Sequence, residues 1–571
     1  MDKKLICCIG DSLTEGDYGI FGMAGIANVQ EKNYPYFLSQ LTGYEVKNFG
    51  HCGYQSVNIL DLFNSHQIDV TGAEIIIILL GTNGGQTPEG NSENDLAYYQ
   101  ILELCKKQAP KAHIFVCAPP HVTADPNKGG FACFEFVKEA AAFVNKVAIE
   151  KGLPLIDLYN NKHFTSETED IMQPNDGVHF SEIGYRTLAE IIYSHIKYLL
   201  PNAFDKLDQR LFNYVHILKN VSGLSISVIK NNEVVFDKNY GLANIEKDYP
   251  ITDNTVFRLA SMTKPVTAVA VLVCKDLGLL QIGDYIDKYI PELNEFYVRD
   301  IDGNIIDNTP YRLTIDQLLR HTSGLQSGPL GEKETLQVSK DQYVDLKTSM
   351  GIYKNFSLEY VPGTNVTYSA TATFDILARI VEVVSHMKYE DFLKKYVFDP
   401  LEMKNTTYSF KNINEKDLAV TYWKENDRLI PPKELETGFD YFPFGYPGGG
   451  AGLLSTKEDY SHFAMMLANG GVYKDKRIIS EETFKDMITV SSTDPIKLFG
   501  LSVHIREGRD WEHLPSSFFG WSGAYGPHFF SSQKYGLAVV YLHNSHSFGG
   551  AGAEHCYILE DDICEIFGLE K

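Results

Sequence analysis

Leu5-Ile6-Cys7-Cys8-Ile9 runs straight into Gly10-Asp11-Ser12-Leu13. The short apolar run predicts a buried strand, and the Gly-Asp-Ser after it predicts a tight turn. A serine on a turn after a parallel strand is displayed at the carboxyl edge of the sheet, where a nucleophile has to be. Similar short runs recur at residues 44–48, 74–80, 113–117 and 153–158. Longer amphipathic segments lie between them, among them residues 95–108 and 134–151, and a last helical pattern covers 181–200. Strand alternating with helix predicts a five-stranded parallel sheet with helices on both faces, an α/β/α sandwich whose ligands bind at the carboxyl ends of the strands.

Three more segments fall at such ends. Asn48-Phe49-Gly50-His51-Cys52-Gly53 follows the second strand, Gly81-Thr82-Asn83 the third, and Asp176-Gly177-Val178-His179 precedes the last helix. Their residue types suit acyl transfer. His179 can take the Ser12 proton, and Asp176 can hold the imidazole in one tautomer. Gly53 lets a backbone N–H approach closely, and Asn83 offers an amide to a developing oxyanion. Asp-x-x-His alone decides nothing, since it recurs at Asp459/His462 and Asp510/His513. The ordered set of four blocks resembles the SGNH (GDSL) hydrolases over residues 5–200. That resemblance implies a flavodoxin-like fold, with Ser12 as nucleophile, Asp176 and His179 completing a triad, and Gly53 and Asn83 in the oxyanion hole. It departs from many members at Gly84, where they carry Asp after the Asn.

Beyond a boundary placed near residue 204 the pattern changes, so the domains are read as 1–204 and 205–571. A helical segment (207–219) precedes strand-like runs at 224–230 and 233–237. A long mixed region follows, and strand-like runs return at 499–505, 528–532 and 536–542. Strands at both ends around a helical middle predict an α+β domain with an antiparallel sheet. Ser261-Met262-Thr263-Lys264 opens an apolar helical run, residues 265–280. Ser and Lys three apart share a helix face, and a lysine buried at a helix start can act as a base. Ser-x-x-Lys also begins at Ser194, Ser227, Ser385 and Ser531, so context selects Ser261. Tyr368-Ser369-Ala370, before a helical stretch at 373–384, offers a proton relay. Gly520-Trp521-Ser522-Gly523 precedes a late strand.

With Arg320-His321-Thr322-Ser323-Gly324-Leu325, Asp399-Pro400-Leu401-Glu402-Met403 and Gly449-Gly450-Ala451-Gly452-Leu453, these blocks resemble the class C β-lactamase-like serine hydrolases over about 210–545. The resemblance implies Ser261 as nucleophile, Lys264 with Tyr368 as the base system, the N–H groups of Ser261 and Ala524 as oxyanion hole, and Trp521 with Gly523 against the substrate. Ala370 stands where β-lactamases carry Asn, and Trp521 where they carry the lysine that pairs with a substrate carboxylate. An indole cannot make that contact. The second site is therefore expected to be an esterase.

Composition bounds the rest. The chain has 571 residues and a formal charge of −23, which disfavours nucleic acid and anionic membranes as partners. Nine scattered cysteines include no C-x-x-C pair, and no apolar run approaches the ~20 residues of a membrane span. A cytoplasmic, cofactor-free, metal-free, two-site carboxylic-ester hydrolase is expected, acting on small or carbohydrate esters. The alternatives are one active domain beside a binding module, and amidase, β-lactamase or acyltransferase chemistry at Ser261.

Overall fold

A computed structural model describes residues 4–21, 27–433, 442–443, 445–490, 498–550 and 552–570. The chain divides into two compact units, Met1–Ala203 with Ile566–Gly568, and Phe204–Glu565 with Leu569–Lys571.

The first unit is built on five parallel strands: β1 (Leu5–Gly10), β2 (Glu45–Gly50), β3 (Ala73–Leu79), β4 (His113–Ala118) and β5 (Leu155–Asp157). Their order is β2-β1-β3-β4-β5. Side chains alternate across the sheet. Cys7, Ile9, Ile76, Ile78 and Val116 pack with the buried faces of the helices Ser56–Asn64, Glu93–Gln108 and Phe134–Lys151. The helices Tyr34–Thr42 and Glu182–Ile196 pack against each other. The strand order reverses between β1 and β3, which is the switch point where such sheets bind ligands. Ser12 follows β1 and Asn83 follows β3, so both flank that crevice.

Close approach is built in there. A Cβ on Gly50 would lie 2.1 Å from Glu15 N, in the turn that carries Ser12. Thr14 C follows at 2.5 Å, and both of these neighbours belong to backbone, which cannot swing aside. Gly50→Ala is expected to destabilise the first unit by about 1–3 kcal/mol, read as a lowered melting transition. An unchanged transition would show that this turn relaxes freely.

The second unit joins early and late sequence, as expected for an α+β domain. Its seven-stranded antiparallel sheet runs His504–Ile505, Phe519–Ser522, His528–Ser532, Leu537–His543, β6 (Gly223–Lys230), β7 (Glu233–Asn244) and β8 (Tyr249–Pro250). The helix Thr263–Asp276 is buried along nearly its whole length. An all-round apolar sequence requires that.

Several sequence-based bounds shift, each for a local reason. The run 499–505 is a strand only at His504–Ile505. Leu501 N donates to Met487 O and Ser502 N to Leu319 O, with Ser502 at φ +66°, so the backbone turns before pairing begins. The helix expected to reach Leu280 stops at Asp276, because Gly278 takes a left-handed φ of +72°. The helix expected over 207–219 covers Asp205–Phe212 and loosens into a wider turn, Asn213–Ile217. Gly520, Trp521 and Ser522 precede the late strand His528–Ser532 as expected and themselves form the strand Phe519–Ser522 beside it.

Candidate active sites

Ser12 opens the short helix Ser12–Glu15, capped by Asp11, whose carboxylate accepts from Leu13 N and from Thr82 N after β3. Asp11 thereby ties the turn after β1 to the loop after β3. Ser12 Oγ lies 2.9 Å from His179 Nε2, and His179 Nδ1 lies 2.7 Å from Asp176 Oδ2. The other Asp176 oxygen accepts from the backbone N–H groups of Val178 and His179. All three side chains are buried.

The charges agree with the distances. Burial pushes Asp176 up, but its hydrogen bond with His179 and that residue's charge outweigh burial and hold it below the usual carboxylate range. An ionised carboxylate only accepts, so Nδ1 carries the proton and Nε2 is left to accept from Ser12. Burial also pulls His179 down, yet Asp176, then Asp17 and Asp11, lift it above its ordinary value. The Ser12 site is therefore expected to lose activity as pH falls through that raised value, because the base becomes protonated. Asp176→Asn removes the main lifting charge and should move this acid limb downward while lowering kcat. An acid limb that stays in place would contradict the pairing.

Gly53 has φ +76° and open space where a Cβ would stand. Asn83 Nδ2 donates to Tyr54 O, next to Gly53, and one amide hydrogen remains for a ligand. These two residues thus meet on the loops after β2 and β3. Asp17 was not singled out by sequence. Its carboxylate lies 3.9 Å from His179 Nε2, and its Oδ1 accepts from Gly19 N and Asn28 N. Its position between two glycine-containing turns carries no spacing signal.

In the second unit Ser261 sits on a 3-10 turn, Ala260–Met262, ahead of the helix Thr263–Asp276. Ala260 has φ +45°, a strained value for a residue with a Cβ, and the strain sits beside the serine. Ser261 Oγ lies 2.5 Å from Tyr368 Oη and 3.3 Å from Lys264 Nζ. Lys264 is fully buried and also donates to Ala370 O at 2.6 Å and Gly450 O at 2.7 Å. Burial drops its pKa to about 7, against a small lift from Asp375. A neutral amine has two N–H groups and one lone pair. The two carbonyls take the N–H groups, which leaves the lone pair for the Ser261 proton. Tyr368, 38% exposed as a residue, bonds Ser261 through its hydroxyl, and desolvation of that group raises its pKa, so it remains a neutral donor.

Ala370 serves through its carbonyl, so the missing Asn side chain leaves the lysine fully held. Behind the lysine, Asp375 accepts from Tyr353 and Tyr446 hydroxyls and from Gly450 N. It positions the Gly450 loop. An aspartate in the first turn of the apolar helix Ala372–Ser385, on its buried face, is a readable signal for it. His321, also buried, takes φ +59°, stacks on Trp521 at 5.7 Å and accepts from Ser369 N. Burial, aided by the Lys264 charge, pushes it down to about 3, so it stays neutral. Ser261, Tyr368, Trp521 and Ala524 line one cavity of about 740 Å³. Gly523 stands at close quarters: a Cβ there would lie 2.2 Å from Leu259 O.

The comparisons agree with both halves. Residues 209–559 match the Beta-lactamase family model, and residues 8–187 match the GDSL-like Lipase/Acylhydrolase family model. An uncharacterized protein of Mycobacterium tuberculosis is 29% identical over 354 residues, 56% of this chain and 85% of that protein. Esterase EstB of Burkholderia gladioli is 24% identical over 362 residues, covering 58% and 88%. Among solved structures, EstCE1, a hydrolase with promiscuous acyltransferase activity, superimposes with a TM-score of 0.54 at 22% identity, over 64% of this chain and 99% of its own. Simvastatin synthase (LovD) of Aspergillus terreus does so at 0.51 and 18%, over 64% and 98%. At these identities the structural likenesses speak for the fold. The chain is a serine hydrolase that belongs to the Beta-lactamase family and carries a GDSL-like lipase/acylhydrolase domain ahead of it.

Proposed function

We propose that this protein is a bifunctional carboxylic-ester hydrolase that forms an acyl-enzyme at each of two serines. One observation carries the reading: in each unit a serine hydroxyl stands within hydrogen-bond reach of its own base, His179 for Ser12 and Lys264 for Ser261. At the first site Ser12 attacks the ester carbonyl and its proton passes to His179. The oxyanion is received by Gly53 N–H and the Asn83 amide, and His179 returns the proton to the departing alcohol. Water then repeats the sequence in reverse. At the second site neutral Lys264 takes the Ser261 proton, and Tyr368 protonates the leaving alcohol and recovers a proton from Lys264; water, activated by the same base, then attacks the acyl-enzyme and frees Ser261. Ser261 and Ala524 N–H groups receive the oxyanion.

Two deacylating sites on one chain suit a substrate acylated at several positions, such as an acetylated oligosaccharide or glycoside. The nine free thiols, eight of them buried, favour a reducing, cytoplasmic setting.

An ester panel tests the reading: p-nitrophenyl esters of graded acyl length and acetylated sugars, on wild type, Ser12→Ala, Ser261→Ala and the double variant. Each single variant should retain part of the activity and the double variant none. Wild-type turnover by the double variant would refute the assignment.

A further inference from the structure

The Ser261 cavity has a polar end that the reaction above does not use. Its walls are apolar, with Phe499, Phe519, Trp521, Phe529, Phe530 and Tyr557 among them. Glu560, from the helix Glu554–Phe567, also lines it and is only 1% exposed. Glu560 Oε1 accepts from Arg506 Nη2 at 3.1 Å and lies 3.4 Å from His528 Nε2. Arg506 Nη1 is bonded to His504 Nδ1, and His528 Nδ1 lies 2.8 Å from Ser522 Oγ. Glu560 Oε2 is different: it is buried and has no hydrogen-bond partner among the described residues.

That orphan oxygen defines what fits. Burial pushes Glu560 up, but His528 and Arg506 outweigh it and keep it ionised. Burial and the Arg506 charge push His504 down to about 3, so it stays neutral. The Arg506 and Glu560 charges cancel, so a cationic ligand gains little. An anionic ligand meets the Glu560 carboxylate, which repels it and offsets the charge of Arg506. A neutral ligand that donates a hydrogen bond meets, in this aromatic-walled cavity, a carboxylate one of whose oxygens has no partner among the described residues. Such an acceptor discriminates strongly against ligands that lack the donor.

We infer that Glu560 is a specificity-determining residue of the Ser261 site, accepting a hydrogen bond from a hydroxyl on the alcohol part of a neutral, ring-bearing ester and rejecting carboxylate-bearing substrates. Tyr368, the group placed to protonate the leaving alcohol, lines the same cavity, which puts the alcohol part on this side. The inference rests on the proposed esterase reading of Ser261 and narrows its substrate class.

Three matched esters test it in a Ser12→Ala background: phenyl acetate, 3-hydroxyphenyl acetate and 3-acetoxybenzoate. The hydroxyl ester should exceed phenyl acetate in kcat/KM at least tenfold, and phenyl acetate should exceed the carboxylate ester at least tenfold. Glu560→Gln should compress both ratios by tenfold or more. Ratios within twofold of one for this otherwise unaltered cavity, or ratios that Glu560→Gln leaves in place, overturn the inference. The same ratios are read as Kd by calorimetry on the Ser12→Ala/Ser261→Ala protein. Absence of turnover would then refute the esterase reading, while the Kd ratios still decide for or against the subsite.

Discussion

Replacing His179 with Ala in a Ser261→Ala background is expected to lower kcat/KM for short acyl esters by a factor on the order of 10⁴–10⁶. The first site would then be the sole source of activity, so the loss reads one base alone. The size follows from the geometry. Ser12 Oγ lies 2.9 Å from Nε2, within hydrogen-bond reach, whereas Asp17 stands 3.9 Å from that nitrogen, beyond it. Without the imidazole, a serine hydroxyl at neutral pH is a poor nucleophile, and the leaving alkoxide has no acid. What remains is binding and the oxyanion donors. A loss below about tenfold would mean that Asp17 or water substitutes for the imidazole, which the triad account does not allow.

The second large effect concerns Lys264. In a Ser12→Ala background, Lys264→Met should lower kcat/KM by a factor on the order of 10²–10⁴. Lys264→Arg should do so as fully, although it keeps the positive charge, because guanidinium does not deprotonate in proteins. That pairing separates a base from an electrostatic stabiliser: a mere stabiliser would be rescued by arginine. Wild-type activity at this site should rise as pH increases through about 7, the value to which burial lowers Lys264. A lysine at its ordinary value would instead keep the site protonated across the neutral range, with the rise displaced to strongly alkaline pH.

The two sites differ in how much of them could be read from residues alone. The parallel sheet was legible because most of its strands are short apolar runs, while β2, with Glu45, Lys47 and Asn48, is marked by its place in the strand-helix alternation. Residues 134–151 even gave the helix Phe134–Lys151 with both ends in place. The first site followed from topology. Ser12, Gly53 and Asn83 each come directly after a strand, and a parallel sheet places all such loops along one edge. Ser261 needed more context, because four other Ser-x-x-Lys pairs share its spacing.

What escaped was long-range or conformational. The left-handed turn at Ala260 has no residue-level marker, since alanine is an unlikely occupant of positive φ. The break at Gly500–Ser502 depends on carbonyls of Met487 and Leu319, which only the folded chain brings near. Glu560 meets Arg506 and His528 at a cavity whose walls come from distant segments, and one of five acidic residues on the helix Glu554–Phe567 reads as part of an ordinary exposed face. Buried polar partners chosen by tertiary packing leave no periodic trace.

Intact-mass analysis after saturation with a fluorophosphonate probe tests the central claim most directly. Wild-type protein should take up two labels per chain, and Ser12→Ala and Ser261→Ala should each take up one. A wild-type protein that accepts a single label, or a single variant that loses all label, would contradict the assignment of two reactive serines.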